Sequence, residues 1–238
     1  MTFTEMRSGT VPERPPRRRG AFFDVDGTLV HGMSVGWTAE ALVREGCDAR
    51  FVSEYERVHR LVVEGGADVG TLTVEGFRLF AGRSWPDLLE LGERWFRTEG
   101  RSRLRTETVR RLDEHQAVDD VVVLVSGSWL PSLAPLAALL RVEHILCSEV
   151  VVERGTVTGA TAHAMVDAAK AEAVRDFALA NDLDLSESWA YGDHPTDELV
   201  LETVGHPVVV GDRPELMRIA AERGWPRLEE TAPVTRRP

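Results

Sequence analysis

The sequence predicts an α/β protein, a parallel-sheet core of alternating strands and helices interrupted by an all-helical insert. Three observations carry this expectation. An apolar burst, Ala21-Phe22-Phe23-Asp24-Val25, reads as a buried strand, and the continuous apolar run Val121-Val122-Val123-Leu124-Val125 is of the kind buried in a parallel sheet. Between them, over 34–111, apolar residues recur at helical spacing with no convincing strand. Beyond the second run, strand and helix patterns alternate.

Each segment has its own reason. Residues 1–19 read as a disordered tail, because Pro12, Pro15 and Pro16 beside Arg17, Arg18 and Arg19 build no packed element. The first strand is expected to stop at the Asp26-Gly27-Thr28 turn. In the insert, Trp37, Leu42 and Val43 make one apolar stripe and Phe51 to Val62 another; Phe77, Phe80, Leu88, Trp95 and Phe96 continue the pattern. Gly65-Gly66, Gly70 and Gly82 punctuate it. The second strand runs into Ser126-Gly127-Ser128 and a helix with Pro131 near its first turn. A strand over 144–147, a hairpin around Arg154-Gly155 and a helix over 167–181 follow. A strand over 189–191, a helix over 196–203, a strand over 207–210 and a helix over 213–223 complete the pattern. The core is therefore expected in 20–33 and 112–238, and the insert in 34–111.

Composition excludes whole classes of function. The chain has 238 residues, 43% hydrophobic and 28% charged, enough to bury a core without staples. A net charge of −11 argues against broad binding to nucleic acid or to an anionic membrane. No apolar run approaches the roughly 18 residues of a membrane span, and the N-terminus has no signal-like apolar stretch. Cys47 and Cys147 make no disulfide framework, so a reduced, cytoplasmic setting is expected. Of 28 basic residues, Lys170 alone is lysine. Coding bias accounts for most of the arginine, yet a tight site accepts a compact ammonium where a guanidinium fork does not fit.

Three strands end in small or acidic residues: Asp24 and Asp26, Ser126-Gly127, and Gly192-Asp193. Ligands of open parallel sheets bind outside the carboxyl ends of the strands. If these strands are neighbours, the carboxylates share one crevice, and crowded carboxylates with an incomplete oxygen shell suit Mg²⁺. The Ser126-Gly127 turn ahead of a helix offers a hydroxyl and free N–H groups to an anion, and Lys170 offsets remaining negative charge. His194 reads as a solvent-side loop histidine, because Mg²⁺ prefers oxygen ligands.

These motifs resemble the haloacid dehalogenase (HAD) superfamily. Asp24-Val25-Asp26-Gly27-Thr28 is similar to its DxDGT signature, Ser126-Gly127 to its second motif, Lys170 to its third, and Gly192-Asp193-His194-Pro195-Thr196-Asp197 to its fourth. The order is the family's, and Val150–Gly159 resembles a hairpin of the phosphoserine-phosphatase-like branch. The resemblance implies a Rossmann-like core with a C1-type helical cap, and a small-molecule phosphate ester as substrate. It implies Asp24 as nucleophile forming an aspartyl phosphate, and Asp26 as general acid and base. Asp24, Asp193 and the Asp26 carbonyl would hold Mg²⁺; Ser126, Gly127 and Lys170 would bind the phosphoryl group. Asp197 would act behind them, orienting Lys170 or a metal-bound water.

Two departures bear on substrate. The glutamate that phosphoserine phosphatases place nine residues after the nucleophile is Met33 here, and Thr196 stands where asparagine is usual. Met33, with Trp37 one turn on, points to a less charged or bulkier leaving group. Trp129 is left open between lining the pocket and plugging the core. Asp26 argues against dehalogenation, and an insert without lysine against Schiff-base phosphonate cleavage. A phosphotransferase or phosphomutase, or a non-catalytic binding protein on the same fold, are the alternatives.

Overall fold

The computed structural model describes residues 18–64 and 68–229, with backbone alone at 62–64. Residues 1–17 of the expected tail, Gly65-Gly66 and the Val62 side chain lie outside the described residues. Arg18 and Arg19 correct the tail's boundary. Arg18 bridges Leu183, the Arg19 carbonyl accepts from the Val121 N–H, and Arg19 Nε donates to Asp120 at 2.8 Å.

The strands are β1 (Gly20–Phe23), β2 (Val121–Ser126), β3 (His144–Cys147), the hairpin β4 (Glu149–Glu153) and β5 (Thr156–His163), β6 (Trp189–Gly192), β7 (His206–Val210) and β8 (Arg227–Leu228). Six of them form one parallel sheet in the order β3-β2-β1-β6-β7-β8. The short edge strand β8 carries only two residues, too few for a pattern to reveal it. Side chains alternate across the sheet as a two-residue period requires. Phe22, Val121, Val123 and Val125 pack against α7 (Ala168–Ala180), α8 (Glu198–Leu201) and α9 (Pro214–Arg223). Ala21, Phe23, Val122 and Leu124 face the other way. The helix expected over 196–203 is a 3₁₀ turn, Pro195–Asp197, followed by the single turn of α8.

The insert contains α1 (Ser34–Arg44), α2 (Ala49–Glu64), α3 (Val69–Arg78) and α4 (Trp85–Thr98). Asp68 caps α3 by accepting from the Thr71 N–H, and Ser84 caps α4 by accepting from Asp87. The chain leaves and returns side by side: Val30 bridges Leu104, and the His31 N–H donates to the Arg103 carbonyl at 2.7 Å. The next helix, α5 (Thr106–Ala117), packs on β2, so the boundary expected at 111 falls inside a continuous helix.

The insert does not own a separate core. Trp37, Phe77, Phe80, Trp95 and the sheet residues Phe23 and Leu124 belong to one buried cluster, joined by α6 (Leu130–Leu140). Pro135 has no N–H for the Pro131 carbonyl. That carbonyl lies against Gly92 of α4, where any side chain would collide with it. The β4–β5 hairpin also joins the insert, pairing Thr156 with Ser84 and exchanging backbone hydrogen bonds between Val157 and residues 82–83.

Candidate active site

The site begins where β1 ends. The Asp24 N–H donates to the Tyr191 carbonyl at 3.0 Å, which carries the β1–β6 pairing one residue further and sets Asp24 beside Gly192-Asp193. On the other side, the register Phe23↔Leu124 brings Ser126-Gly127 to the same edge. The chain order reverses about β1, so this crevice is the topological switch point of the sheet.

Lys170 reaches the edge from α7 and ties two carboxylates together. Its Nζ donates to Asp24 Oδ1 at 2.6 Å and to Asp197 Oδ1 at 2.7 Å, all three side chains buried. Asp197 is used up by its neighbours, because Oδ2 accepts from the N–H groups of Asp193 and His194 at 3.3 and 3.1 Å. Asp193 Oδ1 accepts from Thr28 Oγ1 at 3.2 Å. Two glycines make this packing possible. A side chain on Gly27, which has φ +89°, would collide with the Asp193 carboxylate, and one on Gly192 with Asp197. The helix behind Lys170 starts from strain: Asp167 has φ +46° and ψ −121°, a conformation L-residues avoid.

Electrostatics show what the arrangement lacks. Burial raises Asp24 well above an ordinary carboxyl, Asp197 and Asp193 add to this, and Lys170 opposes it without cancelling it. Burial, then Asp197, pushes Asp193 up to about 6. At Lys170 burial disfavours the charge, but Asp197 and Asp24 outweigh it and hold the ammonium above an ordinary lysine. One ammonium does not balance these carboxylates. One ligand oxygen from each of Asp24, Asp193 and Asp197 lies within 4.8 Å of the others, and Asp24 Oδ2 is buried without a hydrogen-bond partner. An all-oxygen cluster with an orphaned carboxylate oxygen fits a hard divalent cation such as Mg²⁺.

Asp26 leaves the same turn but faces the insert. Its Oδ1 accepts from the Ser34 N–H at 2.8 Å, in the first turn of α1. Burial pushes this carboxyl up to about 6, against the pull of the Ser34 hydrogen bond. Ser126 is fully buried, with Oγ accepting from the Ser128 N–H at 3.1 Å, while the Gly127 carbonyl accepts from Ser148 Oγ at 2.7 Å.

The remaining expectations separate. His194 is half-buried in the loop after β6, and its Nδ1 accepts from the Thr196 N–H as the cap of the 3₁₀ turn. Met33 is 41% exposed, whereas Trp37 is buried and stacks on Trp95 at 4.5 Å. Trp129 is corrected as a specificity residue: it is fully buried against Phe77, Phe80 and Trp85, a plug between core and insert. Sequence reasoning missed Arg105, whose Nη1 donates to the Gly27 carbonyl at 2.7 Å. No local signal could have found it, because the insert's return path brings it there. Thr28, by contrast, stands within the DxDGT turn itself, and its hydroxyl donates to Asp193.

A model of the family described as haloacid dehalogenase-like hydrolase matches residues 21–202. The chain belongs to this family. Among curated relatives of this HAD-like hydrolase is the "Inhibition of morphological differentiation protein" of Streptomyces azureus, 30% identical over 91% of this chain and 80% of the relative. A probable phosphatase of Mycobacterium tuberculosis is 27% identical over 94% and 79%. Among solved structures, a protein of unknown function from Bordetella pertussis Tohama I is similar with a TM-score of 0.80 and 26% identity, covering 91% of this chain and all of that one. A phospho-aspartyl intermediate analogue of phosphoserine phosphatase has a TM-score of 0.65 at 17% identity, covering 91% and 95%. The fold of this HAD-like hydrolase is that of the phosphoserine-phosphatase-like branch, a Rossmann-like sheet with an inserted helical cap. No described helix is long and apolar enough to cross a membrane.

Proposed function

We propose that the protein is a Mg²⁺-dependent phosphomonoester hydrolase that works through an aspartyl phosphate on Asp24. The observation that carries this reading is the state of the Asp24 carboxylate. Lys170 fixes Oδ1, and Oδ2 is buried with no partner, an acceptor left over for an electrophile or a cation.

The residues divide the work. An Asp24 carboxylate oxygen attacks phosphorus, the ester P–O bond breaks, and Asp26 gives its proton to the departing alkoxide. A carboxyl raised to about 6 holds that proton in a useful fraction of molecules near neutrality. Water then attacks the phosphoryl group, Asp26 takes the water's proton, and the bond to Asp24 breaks to release phosphate. The Ser126 hydroxyl, the Gly127 N–H and Lys170 hold the phosphoryl oxygens, where preorganised donors matter most. Lys170 also keeps the Asp24 carboxylate in one orientation, and Asp197 keeps Lys170 in place. Asp24, Asp193 and the Asp26 carbonyl would hold Mg²⁺, which supplies positive charge to the phosphoryl oxygens.

Turnover of p-nitrophenyl phosphate tests the reading. Activity is expected with Mg²⁺, is lost in EDTA, returns when Mg²⁺ is restored, and is absent in Asp24→Asn. Full turnover in excess chelator, or near-normal turnover by Asp24→Asn, would overturn it.

A further inference from the structure

Strands β2 and β3 pair with Ser126 opposite Cys147, so Ser148, the next residue, stands beside the Ser126-Gly127 loop. Ser148 is buried and hydrogen-bonded three ways. Its Oγ donates to the Gly127 carbonyl at 2.7 Å and accepts from the Met165 N–H at 2.9 Å, while its own N–H donates to the Ser128 carbonyl at 2.9 Å. One oxygen thus donates and accepts at once, which a hydroxyl does and a methyl cannot. On one side these bonds hold the loop. The N–H and C=O of a trans peptide point opposite ways, so fixing the Gly127 carbonyl aims the Ser128 N–H at Ser126 Oγ, 3.1 Å away. Ser126 Oγ accepts that bond and keeps its own proton for an acceptor in the crevice. On the other side the bonds hold the approach to α7. Val166 Cγ1 and the Met165 carbonyl lie 3.4 and 3.5 Å from the point where a side chain on Gly127 would begin, so the two loops are in contact. Asp167, in its left-handed conformation, then turns the chain into the helix that carries Lys170.

We infer that Ser148 is a positioning residue for phosphoryl binding, its hydroxyl setting the spacing between the Ser126-Gly127 donors and Lys170; the inference rests on the phosphatase reading above. The donors arrive on separate elements, Ser126 and Gly127 from the end of β2 and Lys170 from α7. A phosphoryl group gripped from both sides needs them at one separation, and a misplacement of about 1 Å costs about 10²-fold in rate. Bridging the Gly127 carbonyl and the Met165 N–H through a single oxygen fixes that separation, since contacts of 2.7 and 2.9 Å leave neither loop slack. The polar atoms of Ser148 are taken by backbone groups, so it acts through the two loops and not on the phosphoryl group itself.

Calorimetric titration with inorganic phosphate in the presence of Mg²⁺ decides the matter, with turnover of p-nitrophenyl phosphate measured alongside. Ser148→Ala should raise the Kd for phosphate by about tenfold to a hundredfold, the usual cost of removing a partner that orients a ligating group, and KM should rise with it. The Kd for Mg²⁺ alone should stay unchanged, because Ser148 holds none of Asp24, Asp193 or the Asp26 carbonyl. Ser148→Thr keeps the hydroxyl and should bind phosphate as the unaltered protein does. If Ser148→Ala does not fold, Ser148→Cys fills the space with a weak donor and acceptor and should show the same rise. A role in stability alone would lower Tm and leave the phosphate Kd of the folded protein where it was. That result, an equal loss in Ser148→Thr, or a Mg²⁺ Kd that rises together with the phosphate Kd would overturn the inference. Turnover by the unaltered protein with an unmoved phosphate Kd in the folded variants would overturn this inference alone; no turnover by the unaltered protein would overturn the phosphatase reading and this inference with it.

Discussion

At the scale of single residues, the lone lysine is the clearest case of chemistry deciding identity. Lys170 Nζ fits between Asp24 and Asp197 with contacts of 2.6 and 2.7 Å, leaving no room for a planar guanidinium. Lys170→Arg and Lys170→Ala are both expected to lower kcat by roughly 10²–10³, the usual cost of removing a donor to developing charge. Lys170→Ala should also lose stability, by about 3–5 kcal/mol in urea unfolding, because it leaves buried carboxylates without their cation. Asp24→Asn has the opposite signature. Burial and neighbouring carboxylates outweigh Lys170 at this position, so the neutral isostere should keep or raise Tm while turnover disappears. A large fall in Tm for Asp24→Asn would contradict that balance of charges. The residues of this cluster were legible in sequence because each sits at a strand end or a helix start. Arg105 was not, since its contact with the Gly27 carbonyl exists only once the insert has folded back.

At the scale of elements, Trp129 shows how a residue beside a functional loop can serve packing alone. Its ring fills the junction between the Ser126-Gly127 loop and the insert, 4.5 Å from Phe80 and 5.3 Å from Phe77 by ring centroids. Trp129→Ala is expected to cost about 3–5 kcal/mol in denaturant unfolding, and Trp129→Phe considerably less. A Trp129→Ala protein of unaltered stability would show that the ring is not a plug. The start of α7 carries the reverse prediction. Asp167→Gly relieves a left-handed backbone and should stabilise by about 1 kcal/mol, read as a raised urea midpoint. Elements of four or more residues with a clear period were readable, including β3 and the β4–β5 hairpin. The two-residue β8 and the 3₁₀ turn at Pro195–Asp197 were not, because neither is long enough to show a period.

At the scale of the whole molecule, one sheet carries Asp24 and Ser126 at its edge, and one inserted helical unit packs on that sheet through a shared core. Patterning revealed that division but not its seam. The insert shares a continuous core with the sheet through α6, and α5 runs across the boundary drawn at residue 111. On the proposed function, cation binding links site and fold. Mg²⁺ at about 100 times its Kd should stabilise the native protein by about 2.7 kcal/mol, and Asp193→Asn should lose most of that gain in thermal unfolding. In the proposed reaction, Asp24 carries the phosphoryl group between substrate and water. Its most direct test is peptide mapping by mass spectrometry after the protein meets acetyl phosphate and Mg²⁺ and is quenched in acid. An acid-stable, hydroxylamine-labile phosphoryl group is expected on the peptide containing Asp24, absent from Asp24→Asn. Steady turnover with no such adduct, or an adduct on Ser126 or another residue instead, would contradict it.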